Sequence, residues 1–422
     1  MVALGLSVLI PVYNRDVSAL VQDLLSQAPS WPGPVEVLLF DDKSEEGFQA
    51  LNRPLAALPG VRYKEMPANQ GRAAIRNHLA AAAGYPWLLL LDNDSQLPDA
   101  QFLSRYAAVL GRTPAAVGGT CYEAQPPADP ALHLRWLYGR EREARPAAVR
   151  NQDPHAQLTL NNLLIDAALF RQFGLDESLT RYGHEDTKFG WRLRQAAVPV
   201  LHLDNPVLHD GLEPAGVFLA KTHDAVRNLA RLYQTEGLGG ETRLVQTARR
   251  LQKLRLAAAA RYALSQAEAR LRRNLLSRSP SLRQLDLLKL LWFLQELRIM
   301  APITPGIEDE NNVLILSLGQ VYDIDKLSEV VALLNSETIK RVAHVLIDAH
   351  ELTSINVMGL ELLELKNKMT KLGRYSLIFC GLKPETKFVL ELLDSEKEFG
   401  ELINFNSVED AKEFLSKLPK ES

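Results

Sequence analysis

Over the first hundred residues, short apolar runs alternate with stretches of helical spacing. Leu6–Ile10, Val35–Phe40 and Tyr85–Leu91 have the length of buried strands and are too short to cross a membrane, and Val61–Glu65 reads as a short third strand among them. Between them, Asp16–Gln27 repeats its apolar residues at helical intervals (Leu20, Val21, Leu24, Leu25). Further helices are expected over Gly47–Leu58 and from Arg72 through Ala83. Four such alternations predict a mostly parallel sheet with helices on both faces. Ligands bind outside the carboxyl ends of the strands of such sheets. There the sequence places Tyr13-Asn14, Asp41-Asp42 and Asp92-Asn93-Asp94. No G-x-G-x-x-G follows the first strand, which argues against a dinucleotide site. A carboxylate can accept a hydrogen bond from a base or a ribose hydroxyl. Two carboxylates one residue apart form a hard oxygen site for Mg2+ or Mn2+ on a diphosphate. The same spacing also suits a solvated turn, so the neighbouring residues must decide.

Further along, Ala115–Cys121 reads as a strand. Residues 123–157, rich in Pro, Arg, Asp and Gln, read as a mobile loop over the site. Leu158–Ile165 is a strand with Asn161 and Asn162 in mid-run, a pair that either faces a ligand or pins a turn. Gly183-His184-Glu185-Asp186 stands at the mouth of a helix starting near Thr187. Acids there are common helix caps and equally serve as a carboxylate base. His209 follows a strand-like run and precedes Gly211, and its imidazole suits Mn2+ better than Mg2+. His184 and His202 read as structural.

Composition divides the chain. Up to Met300 there are 35 Lys+Arg and 30 Asp+Glu, and from Ala301 onward 13 and 21. The kind of base changes as well, from 29 Arg and 6 Lys to 2 Arg and 11 Lys. A domain boundary is expected there. From Gly240 to Met300 there are 13 basic and 4 acidic residues in two or three helices. Residues 281–300 are apolar on most of their circumference. They either pack on the rest of the protein or another copy, or lie on an anionic membrane face. A net charge near zero in the region ahead of this basic extension argues against nucleic acid. Cys121 and Cys380 suggest no disulfide framework and a reducing compartment. The first residues lack the basic start of a signal peptide.

SVLIPVYNR, VLLFDDKS, NQGRAAIRN and LLLLDNDS, in this order and spacing, resemble an inverting family 2 glycosyltransferase of the GT-A fold, over about residues 5 to 235. The resemblance implies a nucleotide-sugar donor, a saccharide or lipid-linked acceptor, and Mn2+ or Mg2+ as cofactor. It puts base contact on Asp42, metal and sugar nucleotide on Asp92 and Asp94, and the diphosphate on Arg72 by its position. Pro11, Tyr13, Asn14 and Asn93 join the nucleotide-sugar side. Asp186 matches the general base, Glu185 a neighbour that positions acceptor or base, and His209 the third metal ligand. Asn161 and Asn162 fall on an element similar to one lining the family's sugar pocket. Lys43 stands where the family often has Gly, so the loop over the base is where a departure is expected.

The C-terminal stretch alternates strand and helix again. VLIDAHELTSINVMGLELL resembles the core of a STAS domain, as in anti-sigma-factor antagonists, with Val357 where that family carries its phosphorylatable Ser. The expected organisation is α/β throughout: a GT-A domain (1–235), a basic amphipathic helical extension (236–300), a linker (301–311) and a STAS-like domain (312–422). It implies a cytoplasmic enzyme of surface polysaccharide assembly, peripheral at the inner membrane face if residues 281–300 lie there, with a protein partner at the STAS-like part. The rival reading is a regulatory protein whose N-terminal part senses nucleotide sugar. A further reading makes the C-terminal part a foreign fusion.

Overall fold

The computed structural model describes residues 4–178, 183–299, 306–308, 313–317, 321–322, 344–348, 350, 354–355, 376–382 and 403–417. The chain divides into two compact units, Met1–Leu294 and Gln295–Ser422.

In the first unit the strands are β1 (Leu6–Val12), β2 (Val35–Asp41), β3 (Val61–Glu65), β4 (Trp87–Leu91), β5 (Ser95–Gln96), β6 (Ala115–Val117), β7 (Thr120–Cys121), β8 (Asn162–Asp166), β9 (Val200–His202) and β10 (Val207–His209). A seven-stranded sheet runs β3-β2-β1-β4-β8-β6-β9. Its strands are parallel except β8, which is antiparallel to both neighbours. A small sheet, β5-β10-β7, stands beside it.

The helices are α1 (Ser18–Gln27), α2 (Glu46–Asn52), α3 (Arg72–Ala82), α4 (Phe102–Ala107), α5 (His133–Tyr138), α6 (Ala147–Arg150), α7 (Ala167–Phe173), α8 (Glu185–Gln195), α9 (Ala215–Glu236), α10 (Arg243–Lys253), α11 (Ala257–Leu275) and α12 (Leu282–Ile299). Alternate strand residues face opposite sides. Val8, Ile10, Val37, Leu39, Leu89 and Leu91 pack with Leu20, Leu24, Phe102 and Tyr106 of α1 and α4. Leu9, Leu38, Leu88 and Leu90 pack with Ile75, Leu79, Phe170 and Phe189 of α3, α7 and α8. Burial on both faces explains why these strands read as continuous apolar runs. It also leaves their polar ends as the exposed part.

Three expectations need correction. Residues 123–157 are not a mobile loop: they hold α5, a π-helical turn over Gly139–Glu143, and α6. Leu134 and Arg150 are buried there, and Arg135 pairs with Glu143 at 3.1 Å, so contacts order a segment whose composition looked irregular. The strand expected from Leu158 begins only at Asn162. Over residues 281–297 the membrane reading gives way to the packing one, with no free apolar face. Trp292 is 1% exposed and stacks on His223 of α9 (4.5 Å between ring centroids), with Arg272 of α11 on it, while Phe293 meets Tyr233. Asp286 is tied to Arg142 at 2.9 Å. Among the described residues, no helix is long and apolar enough to cross a membrane.

The second unit carries β11 (Gly306–Glu308), β12 (Val313–Ser317), β13 (Val321–Tyr322), β14 (His344–Asp348), β15 (Ser354–Ile355), β16 (Ser376–Cys380), β17 (Asn404–Phe405) and α13 (Val408–Ser416). Its sheet runs β11-β12-β14-β16-β17, parallel except for β11 at the edge. β11 lies inside the expected linker. Ile307 pairs with Leu314, a strand too short to show through the surrounding Pro, Gly and acids. Leu346, Ile378, Cys380 and Ala411 form a small core. The helices expected over 324–335, 359–372 and 383–393, and the Val357 position, lie outside the described residues.

His350 joins two strand ends in this unit. Its Nδ1 lies 2.7 Å from Asp348 Oδ1 and its Nε2 2.8 Å from the Asn406 carbonyl. Both partners are acceptors, an arrangement that favours the doubly protonated ring. Cys380 is near enough to complete an Asp–His–Cys ligand set, but both ring nitrogens already face acceptors.

Two outcomes follow. Trp292→Ala should lower the stability of the first unit by about 3–5 kcal/mol in denaturant unfolding; a helix held only by lipid would show no change in solution. The hydrogen bond to Asp348, then that to Asn406, raises the His350 pKa above 6.5. A raised folded value gives stability that is complete below the unfolded value and is lost as pH rises through the folded one. The second unit's unfolding midpoint should therefore fall as pH rises above 6.5, and His350→Gln should flatten that slope.

Candidate active site

The carboxyl ends of β1, β2 and β4 meet at one edge of the sheet. At the end of β2, Asp41 is fully buried and accepts from the Ser44 N–H (2.7 Å), Gln49 Nε2 (3.2 Å) and the Tyr63 hydroxyl (3.2 Å). It pins the turn. Asp42 faces the other way, and its carboxylate accepts the Gln70 and Gly71 N–H groups at 2.6 and 3.1 Å. Burial outweighs these two bonds and pushes its pKa up. Asn14 ties the first loop to the second: its N–H donates to Ser44 Oγ and its Oδ1 accepts from Glu45 N–H, both at 2.8 Å. Lys43 has φ +70°, the left-handed conformation a Gly adopts without cost, which accounts for the Gly expected there. Pro11 pairs with Phe40 within the sheet, and Tyr13 is 53% exposed.

Beyond β4, Asn93 donates from Nδ2 to the Tyr13 carbonyl at 3.1 Å, locking the two loops together. Asp92 receives Arg76, whose Nη2 donates to its carboxylate while Nη1 donates to the Arg72 carbonyl at 2.9 Å. Burial opposes ionisation of Asp92, but Arg76 and Arg72 together hold its carboxyl below the usual range. Asp94 is pushed the other way: burial raises its pKa more than His209 lowers it. His209 Nε2 lies 3.8 Å from Asp94 Oδ2. Gly211 passes so close that an added Cβ would fall 2.2 Å from that oxygen. Its N–H donates to His209 Nδ1 at 2.9 Å. The neutral ring then carries its proton on Nε2, the nitrogen facing Asp94. An oxygen and an imidazole nitrogen at this separation fit one divalent cation, provided the ring takes the other tautomer and releases Gly211.

A cavity of about 320 Å³ opens beside these groups. Its lining includes Arg72, Arg76, Asp92, Glu185, Asp186 and His209. Pro11, Tyr13, Asn14 and Asp42 stand outside it, at the ends of β1 and β2; Asn93 and Asp94 also lie outside its lining. Glu185 is buried at the first turn of α8, with Oε1 3.5 Å from Arg72 Nε and no hydrogen-bond donor. Asp186 accepts the Thr187 N–H at 2.8 Å; burial raises its pKa against that bond and against Arg72 and Arg76.

The sequence reading missed Arg76, although Arg72 and Arg76 are one helical turn apart and therefore share a face of α3. It also left Asn161 and Asn162 undivided. Asn162 is fully engaged, accepting from the Tyr106 hydroxyl and donating to the Gly119 and Asn205 carbonyls. Asn161 lines the cavity, donates to Thr120 Oγ1 at 2.8 Å, and has no partner on Oδ1. Three buried atoms without hydrogen-bond partners thus belong to residues of one cavity: Arg76 Nε, Asn161 Oδ1 and Glu185 Oε1.

No curated protein sequence matches the chain. Among solved structures it is similar to S. aureus TarS at 16% identity and TM-score 0.39, over 55% of this chain and 40% of that one. It therefore spans less than half of that protein's length. It is also similar to the mannosyltransferase PcManGT from Pyrobaculum calidifontis, in complex with GDP-Man and Mn2+, at 16% identity and TM-score 0.42, over 67% of this chain and 78% of that one. Residues 7–162 match the model of glycosyl transferase family 2, and the N-terminal part of this chain is a glycosyltransferase domain of that family.

Proposed function

We propose that the first unit moves a sugar from a nucleoside-diphosphate donor to a hydroxyl of a saccharide or lipid-linked acceptor, with inversion, in surface polysaccharide assembly. The carrying observation is the cavity that brings Asp92 and His209 within one space with Glu185 and Asp186, and with Arg72 and Arg76. Asp42, Asn14 and Tyr13 lie along the adjoining strand ends, where a base and ribose would be held. Arg72 is the cation for the diphosphate. Asp186 takes the proton from the acceptor hydroxyl as its oxygen attacks the anomeric carbon, and Glu185 orients that hydroxyl. Asp94 and His209 would hold a divalent cation, with Asp92 beside them. When bound, that cation neutralises charge on the departing diphosphate, so no separate acid is needed.

The second unit reads as a STAS-like assembly module. Its parallel strands β12, β14, β16 and β17 support that reading, and Val at position 357 would leave it without the phosphoswitch. The sensor reading is the weaker one, because a sensor has no need of a base, the role proposed here for Asp186.

Asp186→Asn should lower kcat roughly 10²–10⁴-fold while leaving nucleotide binding intact in thermal shift. Equal loss of binding would mean that the residue only supports the fold. The raised Asp186 pKa places the acid limb of kcat/KM above 3.8, with the rate falling as pH drops through it. Thermal shifts with UDP, GDP and dTDP, with and without Mn2+, should show one nucleotide stabilising the protein only with metal. Asp94→Ala should abolish that shift; no shift with any of the three would sink the reading.

A further inference from the structure

α10 and α11 are joined by a short turn, and each buries residues only towards its end away from that turn. Val245 and Ala248 are buried near the start of α10, and Leu271 and Leu275 near the end of α11. Between Arg249 and Arg270 no residue is buried. Ordinary surface helices place an apolar stripe against a core. The turn itself is firmly built: the Leu254 N–H donates to the Arg250 carbonyl (3.0 Å), the Leu256 N–H donates to the Leu251 carbonyl (2.8 Å), and Arg255 has φ +58°. This turn holds Leu254 at 65% and Leu256 at 49% exposure, and Tyr262 in the following helix is 69% exposed.

The charge around these side chains has one sign. From Arg243 to Ala267 there are six cations and no acid. Arg249, Arg250, Lys253 and Arg255 sit at the turn, and all four are exposed. Two leucines have no hydrogen bonds to offer and gain by leaving water. A tyrosine suits the boundary between lipid headgroups and acyl chains, and clustered Arg and Lys suit anionic headgroup phosphates. A nucleic acid would satisfy the cations but leave Leu254 and Leu256 in water.

We propose that the α10–α11 turn is a membrane-contact surface, seating Leu254 and Leu256 in the interface of an anionic bilayer with the flanking cations on lipid phosphates. The contact is peripheral, and it lies in a different part of the extension from the buried α12.

The test is co-sedimentation of the full chain with vesicles of phosphatidylcholine alone and with about a third phosphatidylglycerol. Binding is expected only to the anionic vesicles and should weaken in about 0.5 M salt. L254S/L256S should reduce it about tenfold or more. Arg249→Gln should reduce it about fivefold. Far-UV circular dichroism and thermal midpoint should stay unchanged, since these side chains support no packing. Absence of binding to the anionic vesicles overturns the proposal, as does binding that L254S/L256S leaves intact. So does a concentration-dependent dimer that this pair of substitutions disrupts, or binding to heparin or single-stranded DNA in place of vesicles.

Discussion

Arg76 is a guanidinium held almost wholly out of water, and the arrangement of the site depends on what neutralises it. The partner is Asp92 at the end of β4. Removing one member of such a pair leaves an unpaired buried charge, at a cost of roughly 3–5 kcal/mol. The pair therefore fixes α3 against the sheet and fixes the carboxylate beside the cavity. It also explains why neighbouring acids differ. Asp92, beside two arginines, stays ionised, whereas burial drives Asp94 and Asp186 towards the protonated form.

The opposite wall rests on Arg150. All three of its nitrogens donate: Nε to the Arg145 carbonyl, Nη1 to the Val117 carbonyl and His202 Nδ1, and Nη2 to the Gly118 and Leu203 carbonyls. No carboxylate pairs with it among these contacts; carbonyl dipoles carry the charge. The result joins the ends of β6 and β9 to α6. Gly119, where an added Cβ would meet the guanidinium at 2.6 Å, is small for that reason. Through β7 and β10 the same joint sets the height of His209, whose ring stacks on Tyr122.

The helical extension separates two roles that composition merges. α12 and the α10–α11 pair are both Leu- and Arg-rich, yet α12 is enclosed by aromatic contacts with α9 and by Arg272, whereas the turn between α10 and α11 keeps Leu254 and Leu256 exposed. Apolar content alone does not distinguish a helix that has found its partner from one that has not.

Short apolar runs and helical spacing were enough to determine the alternating elements, the strand ends and the acids placed there, because each depends on residues close in the chain. The Arg-to-Lys change and the linker composition marked a division in the same local way. Tertiary structure alone decided that Arg76 answers Asp92, that Asn161 lines the cavity while Asn162 is enclosed, and that residues 133–150 are ordered. It also decided which of the extension's helices is buried. Each of these turns on which distant group removes a side chain from water, and the energy of a buried charge or ring is set by neighbours that no local pattern specifies.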